Sequence, residues 1–184
     1  MRKIVLVVLL TVVFTLLNAQ KYITKTGNID IYSETSLFVI EAKNQKVASI
    51  LNSENGEVVA STLVRSFKFH EALVEEHFNE NYMESHVHPK AVFKGKIDNF
   101  NTVDLSKDGT YKINIIGDLT LHGETNPVNT NGKLIVNDNK INASVEFFVS
   151  LSAYKIKVEE KYKDRIKDEI KLAIYFEYTK MDDK

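Results

Sequence analysis

The chain has 184 residues, with 24 lysines and arginines against 25 aspartates and glutamates, so its formal net charge is −1 at pH 7. This balance, without a block of basic residues, disfavours nucleic-acid binding. The sequence contains no cysteine, which excludes disulfides and thiol chemistry; a domain of this length can rely on its hydrophobic core instead.

The first twenty residues have the pattern of a secretory signal peptide. A positively charged start precedes an apolar run over residues 4–17, and the small Ala19 offers a cleavage site before Gln20 or Lys21. The run of about 14 residues is shorter than the ~20 that a membrane-spanning helix needs. We therefore expect residues 1–20 to be removed and the product to be periplasmic or secreted, without stable membrane insertion. An uncleaved anchor is the alternative.

Residues 21–184 indicate one domain, because two prolines, seven glycines and no low-complexity tract leave no linker. Extended, mostly apolar runs near residues 29–32, 37–42, 58–69 and 91–97 predict the early strands. The run at 58–69 is β-branched but shows no clean apolar face.

A different period interrupts the strands at about residues 70–84. Leu73, His77, Phe78 and Tyr82 recur at helical spacing, and the segment is free of glycine and proline. We predict one helix here, ended by the step into Pro89, since proline disfavours helix at the preceding residue.

The clearest strands lie in the second half of the chain, where apolar and polar residues alternate over 111–121, 141–151 and 170–178. Between the first two, Gly123 predicts a tight corner. Asn131-Gly132 and residues 137–139 carry turn signals that bracket a short strand at 134–136. Residues 155–169, with 11 charged residues in 15, predict a solvated loop or, as an alternative, a short helix over one end.

About eight one-sided strands, one helix and no alternation of strand and helix predict an all-β fold, an antiparallel barrel or sandwich. The barrel is favoured because closure removes the exposed edges that long strands would otherwise present.

The chain reads Gly-Asp-Leu-Thr-Leu-His-Gly-Glu-Thr-Asn-Pro-Val over residues 117–128, and this segment together with two others resembles the YceI family. Residues 117–128 are similar to its pattern Gly-Asp-Leu-Thr-x-x-Gly-x-Thr-Lys-Pro-Val, and residues 75–85 with 88–95 are similar to its helix and the strand entry that follows. Residues 151–156 resemble a third family segment more weakly. The chain departs from the pattern at Asn126, where lysine is usual, and at Leu151 and Lys155, near which arginine and glycine are common.

The resemblance implies a lipocalin-like β-barrel with a tunnel for a long isoprenoid or another lipid chain, and a binding protein rather than an enzyme. The residues alone leave two interpretations open: an interior filled by side chains, or one that keeps a slot for a ligand. The inward-facing candidates for a ligand contact are Phe93, Ile113, Ile115, Val145, Phe147, Ile174 and Phe176.

Catalytic and metal-binding patterns are weak. The sequence has no Gly-x-Ser-x-Gly elbow, no phosphate-binding glycine loop and no His-Glu-x-x-His pair. His86-Val87-His88 alone is a poor zinc signal, and His122 before Gly123 is expected to bond to backbone. We therefore predict no catalytic residue, no metal site and no cofactor.

The alternatives to a carrier are a hydrolase or isomerase acting in the same pocket, and a packed barrel that serves as an interaction module. The sequence leaves the oligomeric state open.

Overall fold

The structure is a computed structural model that describes residues 20–36, 38–138 and 140–181. Residues 1–19 of the predicted signal peptide lie outside the described residues, so cleavage stays a prediction. In the described part of the chain, no helix is both long enough and apolar enough to cross a membrane.

The described residues form nine strands, of which eight build a closed barrel. Their bounds are β1 (Lys21–Glu34), β2 (Val39–Asn52), β3 (Glu57–Leu63), β4 (Lys68–Phe69), β5 (Lys90–Ile97), β6 (Gly109–Leu121), β7 (Glu124–Asn137), β8 (Lys140–Ser150) and β9 (Glu169–Lys180). The antiparallel order is β1-β9-β8-β7-β6-β5-β3-β2, and β1 pairs with β2 to close it. The two-residue β4 pairs with β2. The predicted all-β, lipocalin-like barrel is confirmed.

Alternation along the strands separates an inner from an outer face. In β8, Ile141 and Val149 are buried, whereas Phe148, which breaks the polar pattern of the outer face, is 64% exposed. The long run predicted at 58–69 has no clean face because the chain changes structure there. It forms β3, a 3-10 turn at Val64–Ser66 and then β4.

The corner between β6 and β7 is a two-residue hairpin turn. Leu121 pairs with Glu124, and the two residues between them, His122 and Gly123, have φ values of 50° and 77°. Positive φ at both positions is the requirement of a type I′ turn, which fits the twist of the paired strands. The glycine corner in the sequence therefore forms the predicted corner.

The prediction of a turn at Asn131-Gly132 is wrong, because β7 runs without interruption from Glu124 to Asn137. Gly132 pairs with Val145 of β8. A Cβ on Gly132 would lie 2.8 Å from the Ser144 carbonyl oxygen and 2.9 Å from Val145 Cγ2. The glycine thus permits a close approach of two strands, which a sequence cannot distinguish from a turn signal.

The ladder between β7 and β8 covers half of β7. It joins Gly132–Asn137 to Lys140–Val145, and β8 then continues to Ser150 beside β9. Among the described residues, β7 residues 124–131 therefore have β6 as their one strand partner. Pro127 lies in this half, where one side of the strand makes no ladder and a missing N–H is tolerated.

The predicted helix is shorter than expected. Helix α1 spans Ala72–His77, and a π-helical turn continues it over Phe78–Tyr82. The helix cannot begin earlier because the backbone of Glu71 is extended, with φ −107° and ψ 125°. At the other end Glu84 has a φ of 41°, so the helical segment ends before Glu84 rather than at the step into Pro89. The segment predicted as a loop over 155–169 is a loop up to residue 168, with a 3-10 turn at Glu160–Tyr162, and β9 begins at Glu169.

The barrel has two ends of different construction. The packed end holds the β2–β3 turn, the β5–β6 connection and the β7–β8 turn; the helical end holds the β1–β2 turn, α1, the β6–β7 turn and the β8–β9 loop. Buried residues of the packed end form one cluster around Leu51, Leu134 and Tyr178. A second cluster, which includes Met83 and Tyr154, lies at the helical end.

Candidate ligand-binding cavity

A cavity of about 620 Å³ occupies the barrel interior. Its wall reaches from Leu51 and Tyr178 at the packed end to Phe38 and Leu73 at the helical end. Several side chains that point inward, such as Phe147 and Leu172, stay partly exposed because they face this space. The interior is therefore hollow, and its volume lies in the range of about 300–1,000 Å³ typical of ligand pockets.

The structure brings all the predicted inward-facing residues together in the wall of this cavity. They come from four strands, β5, β6, β8 and β9: Phe93, Ile113, Ile115, Val145, Phe147, Ile174 and Phe176. Val145 and Ile174 are directly opposite one another in the β8–β9 ladder. Their contact with a ligand stays a prediction, but their position satisfies the geometric condition for it.

Tyr178 forms the floor of the cavity at the packed end. Its side chain is 2% exposed, and its hydroxyl lies 2.7 Å from Ser49 Oγ. Burial raises the pKa of Tyr178, while the hydrogen bond with Ser49 opposes the shift. Phe176 contacts Tyr178 edge to face, with 5.8 Å between ring centroids. The floor is thus a fully satisfied, neutral contact.

Helix α1 and its π-helical turn form one side of the upper wall. Leu73, Val74, His77, Phe78 and Tyr82 face the cavity. Phe78 is fixed by two aromatic neighbours from the β3–β5 connection, with ring centroids 5.8 Å from Phe67 and 4.9 Å from Phe69. His77 belongs to this wall as well.

The mouth of the cavity is at the helical end, where apolar side chains reach solvent. Val39 is 61% exposed and Leu73 is 60% exposed, although both belong to the cavity wall. Arg165 of the β8–β9 loop lies over the ring of Phe38, with 4.6 Å from its Cζ to the ring centroid. The loop therefore contributes to the rim through Arg165 and its neighbour Ile166.

Charge is confined to the rim of the cavity. The acidic, basic and histidine side chains among its described lining residues all belong to the helical end: Glu41, His70, Glu71, His77 and Arg165. Thr62, a polar residue of the wall, is hydrogen-bonded within the protein. Its Oγ1 accepts a hydrogen bond from Asn44 Nδ2 at 2.8 Å. An apolar interior with a polar rim shields a hydrocarbon chain from water and leaves a polar group at the opening.

A separate cluster at the helical end joins residues that the sequence did not bring together. Glu84, His88 and His122 each offer a ligand atom, and these atoms lie within 4.8 Å of one another. His122 bonds to backbone, as expected, but its partner is the Tyr154 carbonyl in the β8–β9 loop rather than the corner itself. The spacing of 34 residues between His88 and His122 hid this cluster, because the two segments converge only in the closed barrel.

Comparison with solved structures supports the fold. A polyisoprenoid binding domain from Saccharophagus degradans, implicated in plant cell wall breakdown, has a TM-score of 0.76 at 11% identity, covering 88% of this chain and 98% of that one. Burkholderia cenocepacia BcnA has a TM-score of 0.69 at 15% identity, covering 83% and 96%. The Campylobacter jejuni YCEI protein has a TM-score of 0.59 at 14% identity, covering 77% and 85%.

Among curated proteins, the comparison finds no match. The sequence model of the YceI-like domain matches residues 11–178, which is most of the chain and includes all nine strands up to Tyr178. The chain therefore belongs to the family of YceI-like domains.

Proposed function

We propose that this protein is an exported carrier that holds one long isoprenoid or other lipid chain inside the barrel. The observation that carries the proposal is the hollow apolar interior, about 620 Å³ in volume, with charge confined to its rim. The similarity of the fold to a polyisoprenoid binding domain supports it. Sequestration needs no catalytic group, because burial of the apolar chain supplies the driving force.

The size of the cavity sets the length of the ligand. If each methylene occupies roughly the 30 Å³ of a liquid water molecule, the interior accommodates about 20 carbon atoms. Each buried methylene contributes about 0.8 kcal/mol, which corresponds to about fourfold in affinity. Affinity should therefore rise with chain length until about 20 carbons and then level off, since further carbons remain in water.

The decisive measurement is native mass spectrometry of protein purified without denaturant, followed by solvent extraction of any bound molecule. We expect one apolar chain per protein. Titration with saturated fatty acids and linear prenols of increasing length then measures the length limit. Protein that arrives empty and takes up no chain of any length contradicts the proposal. Turnover of a bound ester or prenyl substrate would favour the hydrolase or isomerase instead.

A matched pair of substitutions on β8 tests whether binding occurs inside the barrel. Val145→Trp adds bulk to the cavity wall without adding charge, so we expect at least about tenfold weaker binding of a C16–C20 chain. Phe148→Trp places the same side chain on the outer face, where Phe148 is exposed, and should leave binding unchanged. Equal affinities for both variants would place the ligand elsewhere.

Export is the second part of the proposal, and the signal-peptide pattern in the first twenty residues supports it. Cell fractionation followed by intact-mass measurement tests it. We expect the protein in the periplasm or the medium, beginning at Gln20 or Lys21. A full-length chain that sediments with the membranes would show an uncleaved anchor and would leave the carrier proposal untouched.

A further inference from the structure

Two segments of the helical end meet at the cluster of Glu84, His88 and His122. Glu84 and His88 flank the turn that follows the helical segment, and His122 is the first residue of the β6–β7 turn. His88 and His122 are in edge contact, with 4.7 Å between ring centroids. Glu84 Oε2 lies 2.8 Å from His122 Nε2. The His122 side chain is 10% exposed and that of Glu84 48%, so the cluster is ordered by packing yet reachable from solvent.

The hydrogen bonds of His122 fix the direction in which its Nε2 atom points. Its Nδ1 lies 3.0 Å from the Tyr154 carbonyl oxygen, which can only accept, so Nδ1 carries a hydrogen. In a neutral ring Nε2 is then an acceptor, and it faces a carboxylate oxygen that is also an acceptor. The lone pair of Nε2 is thus aimed at the place that a cation shared with Glu84 would occupy, and their 2.8 Å contact would lengthen to about 3.3 Å around one zinc ion.

The Nδ1 contact is also the arrangement that metal-binding histidines adopt. A metal-ligating imidazole usually donates its other N–H to a carbonyl or carboxylate, which fixes the tautomer and aims the free nitrogen. The Tyr154 carbonyl supplies this contact from a different loop, and Tyr154 itself is 3% exposed. The direction of His122 Nε2 is therefore set by a buried partner rather than by the surface carboxylate.

The surrounding backbone makes room for the third group. A Cβ on Gly123 would lie 2.7 Å from His88 Cε1, so the His88 ring occupies space that only glycine leaves open at this turn. The positive φ of His122, 50°, belongs to the type I′ turn, which carries its side chain to the same side as the His88 ring.

We propose that Glu84, His88 and His122 bind a divalent transition metal, of which Zn²⁺ is the representative ion. Two imidazoles and one carboxylate are a ligand set suited to zinc, with a fourth position left for water. Tetrahedral zinc holds its ligand atoms about 3.3 Å apart. The three ligand atoms lie within 4.8 Å of one another, so wider separations have to shrink and the 2.8 Å contact of Glu84 with His122 has to lengthen. Rotation of the exposed Glu84 and half-buried His88 side chains can provide both changes.

The metal would link the turn after the helical segment to the β6–β7 hairpin and, through the Tyr154 carbonyl, to the β8–β9 loop. These are three of the four connections at the helical end. Because the ion binds the folded chain and not the unfolded one, it should raise the melting temperature. This expectation is independent of any lipid in the cavity.

Titration of tag-free protein with ZnCl₂ by calorimetry tests the proposal. We expect one equivalent with a Kd of micromolar or lower, and a melting temperature raised by about 5 °C when zinc exceeds 100 times the Kd. CoCl₂ should give the visible absorption of a four-coordinate Co²⁺ site. His88→Gln and Glu84→Gln should each weaken zinc binding at least about tenfold. His122→Gln should do the same, and its circular dichroism spectrum checks that the barrel has formed.

The matched control is His86→Gln, which removes an exposed histidine two residues from His88 and paired with Glu80 at 3.8 Å. It should bind zinc like the wild type. The proposal is overturned if zinc and cobalt fail to bind. It is equally overturned if binding survives His88→Gln and Glu84→Gln, or if His86→Gln abolishes it. None of these outcomes bears on lipid uptake.

Discussion

The two ends of the barrel use the same strands for different purposes. At the packed end, Leu134, Ile141 and Tyr178 are each at most 2% exposed and belong to one cluster. At the helical end, Phe147 and Leu172 point inward in the same way, yet they stay partly exposed because they face the cavity. Side-chain direction is therefore necessary for a ligand site but does not create one.

The difference comes from what covers each end. Phe100, Val103 and Leu105 of the β5–β6 connection pack against the cluster of the packed end. The helical end is covered by α1 and the β8–β9 loop, which line the cavity and leave a mouth between them. We infer that the packed end supplies most of the stability and the helical end most of the ligand contact.

The largest expected effect is a difference in the free energy of unfolding between alanine substitutions of two leucines, Leu134 and Leu172. Leu134→Ala removes a fully buried side chain outside the cavity wall and should lower the free energy of unfolding by about 4 kcal/mol. Leu172→Ala enlarges an existing cavity, so we expect a loss of about 2 kcal/mol or less, with weaker lipid binding. Urea unfolding of both variants measures the difference, and equal losses would refute the division between the two ends.

A charge in the cavity wall should lower both the stability of the protein and its lipid binding. Phe147→Asp places a carboxylate among apolar side chains, and we expect about 3 kcal/mol less stability together with lost lipid uptake. Ile115→Asp should behave in the same way from β6, two strands along the barrel wall. Lipid binding at wild-type strength in either variant would mean that these side chains do not face the ligand.

A smaller effect tests the floor of the cavity. Tyr178→Phe removes the hydroxyl that bonds to Ser49, and we expect a loss of about 1 kcal/mol. Burial raises the pKa of Tyr178 in the folded protein, so its contribution is complete below the unfolded value of about 10 and declines as the pH rises above it. Denaturant unfolding between pH 8 and 11 should show a weaker alkaline loss for the variant, and parallel curves would count against this assignment.

The smallest expected effect concerns the β8–β9 loop. Hydrogen bonds from the Ser150 hydroxyl, and then from the N–H and hydroxyl of Ser152, hold the pKa of Asp168 below its usual value despite partial desolvation. Its stabilisation is thus present above the unfolded pKa of about 3.9 and is lost as the pH falls through the folded value. Asp168→Asn should cost at most about 1 kcal/mol at pH 7.

Thermal unfolding at pH 7 and pH 3 checks this loop prediction. The melting temperatures of the wild type and Asp168→Asn should approach one another at the lower pH, because Asp168 takes up a proton in the unfolded chain below about pH 3.9 and the unfolded state gains stability. A gap that persists undiminished at pH 3 would show that the Asp168 charge does not anchor the loop.

The sequence predicted the fold where one face of a strand is buried. Alternation in β6, β8 and β9 gave the barrel and its inward residues, because a period of two fixes which side chains share a face. The prediction from the sequence failed at Gly132, since glycine occurs both in turns and at close contacts between strands. The predicted helix was also too long, because the backbone of Glu84 has a positive φ that no residue pattern indicated.

The candidate sites were predictable to different degrees. The direction of Phe147 follows from its own strand, but the empty volume beside it depends on strand order and on how the ends are covered. The metal cluster depends on even longer-range geometry, since Glu84 and His122 lie 38 positions apart and meet only across a closed barrel. The residues next to Glu84 or His122 in the sequence do not indicate that the two side chains are in contact.

The short ladder between β7 and β8 has a consequence for motion. Over residues 124–131 of β7 the described chain has a strand partner on one side, so separation from β8 breaks few backbone hydrogen bonds. Local opening free energies are lowest where such bonds are few. Amide hydrogens along this half of β7 should therefore exchange with deuterium faster than those of β9, which pairs with a strand on each side.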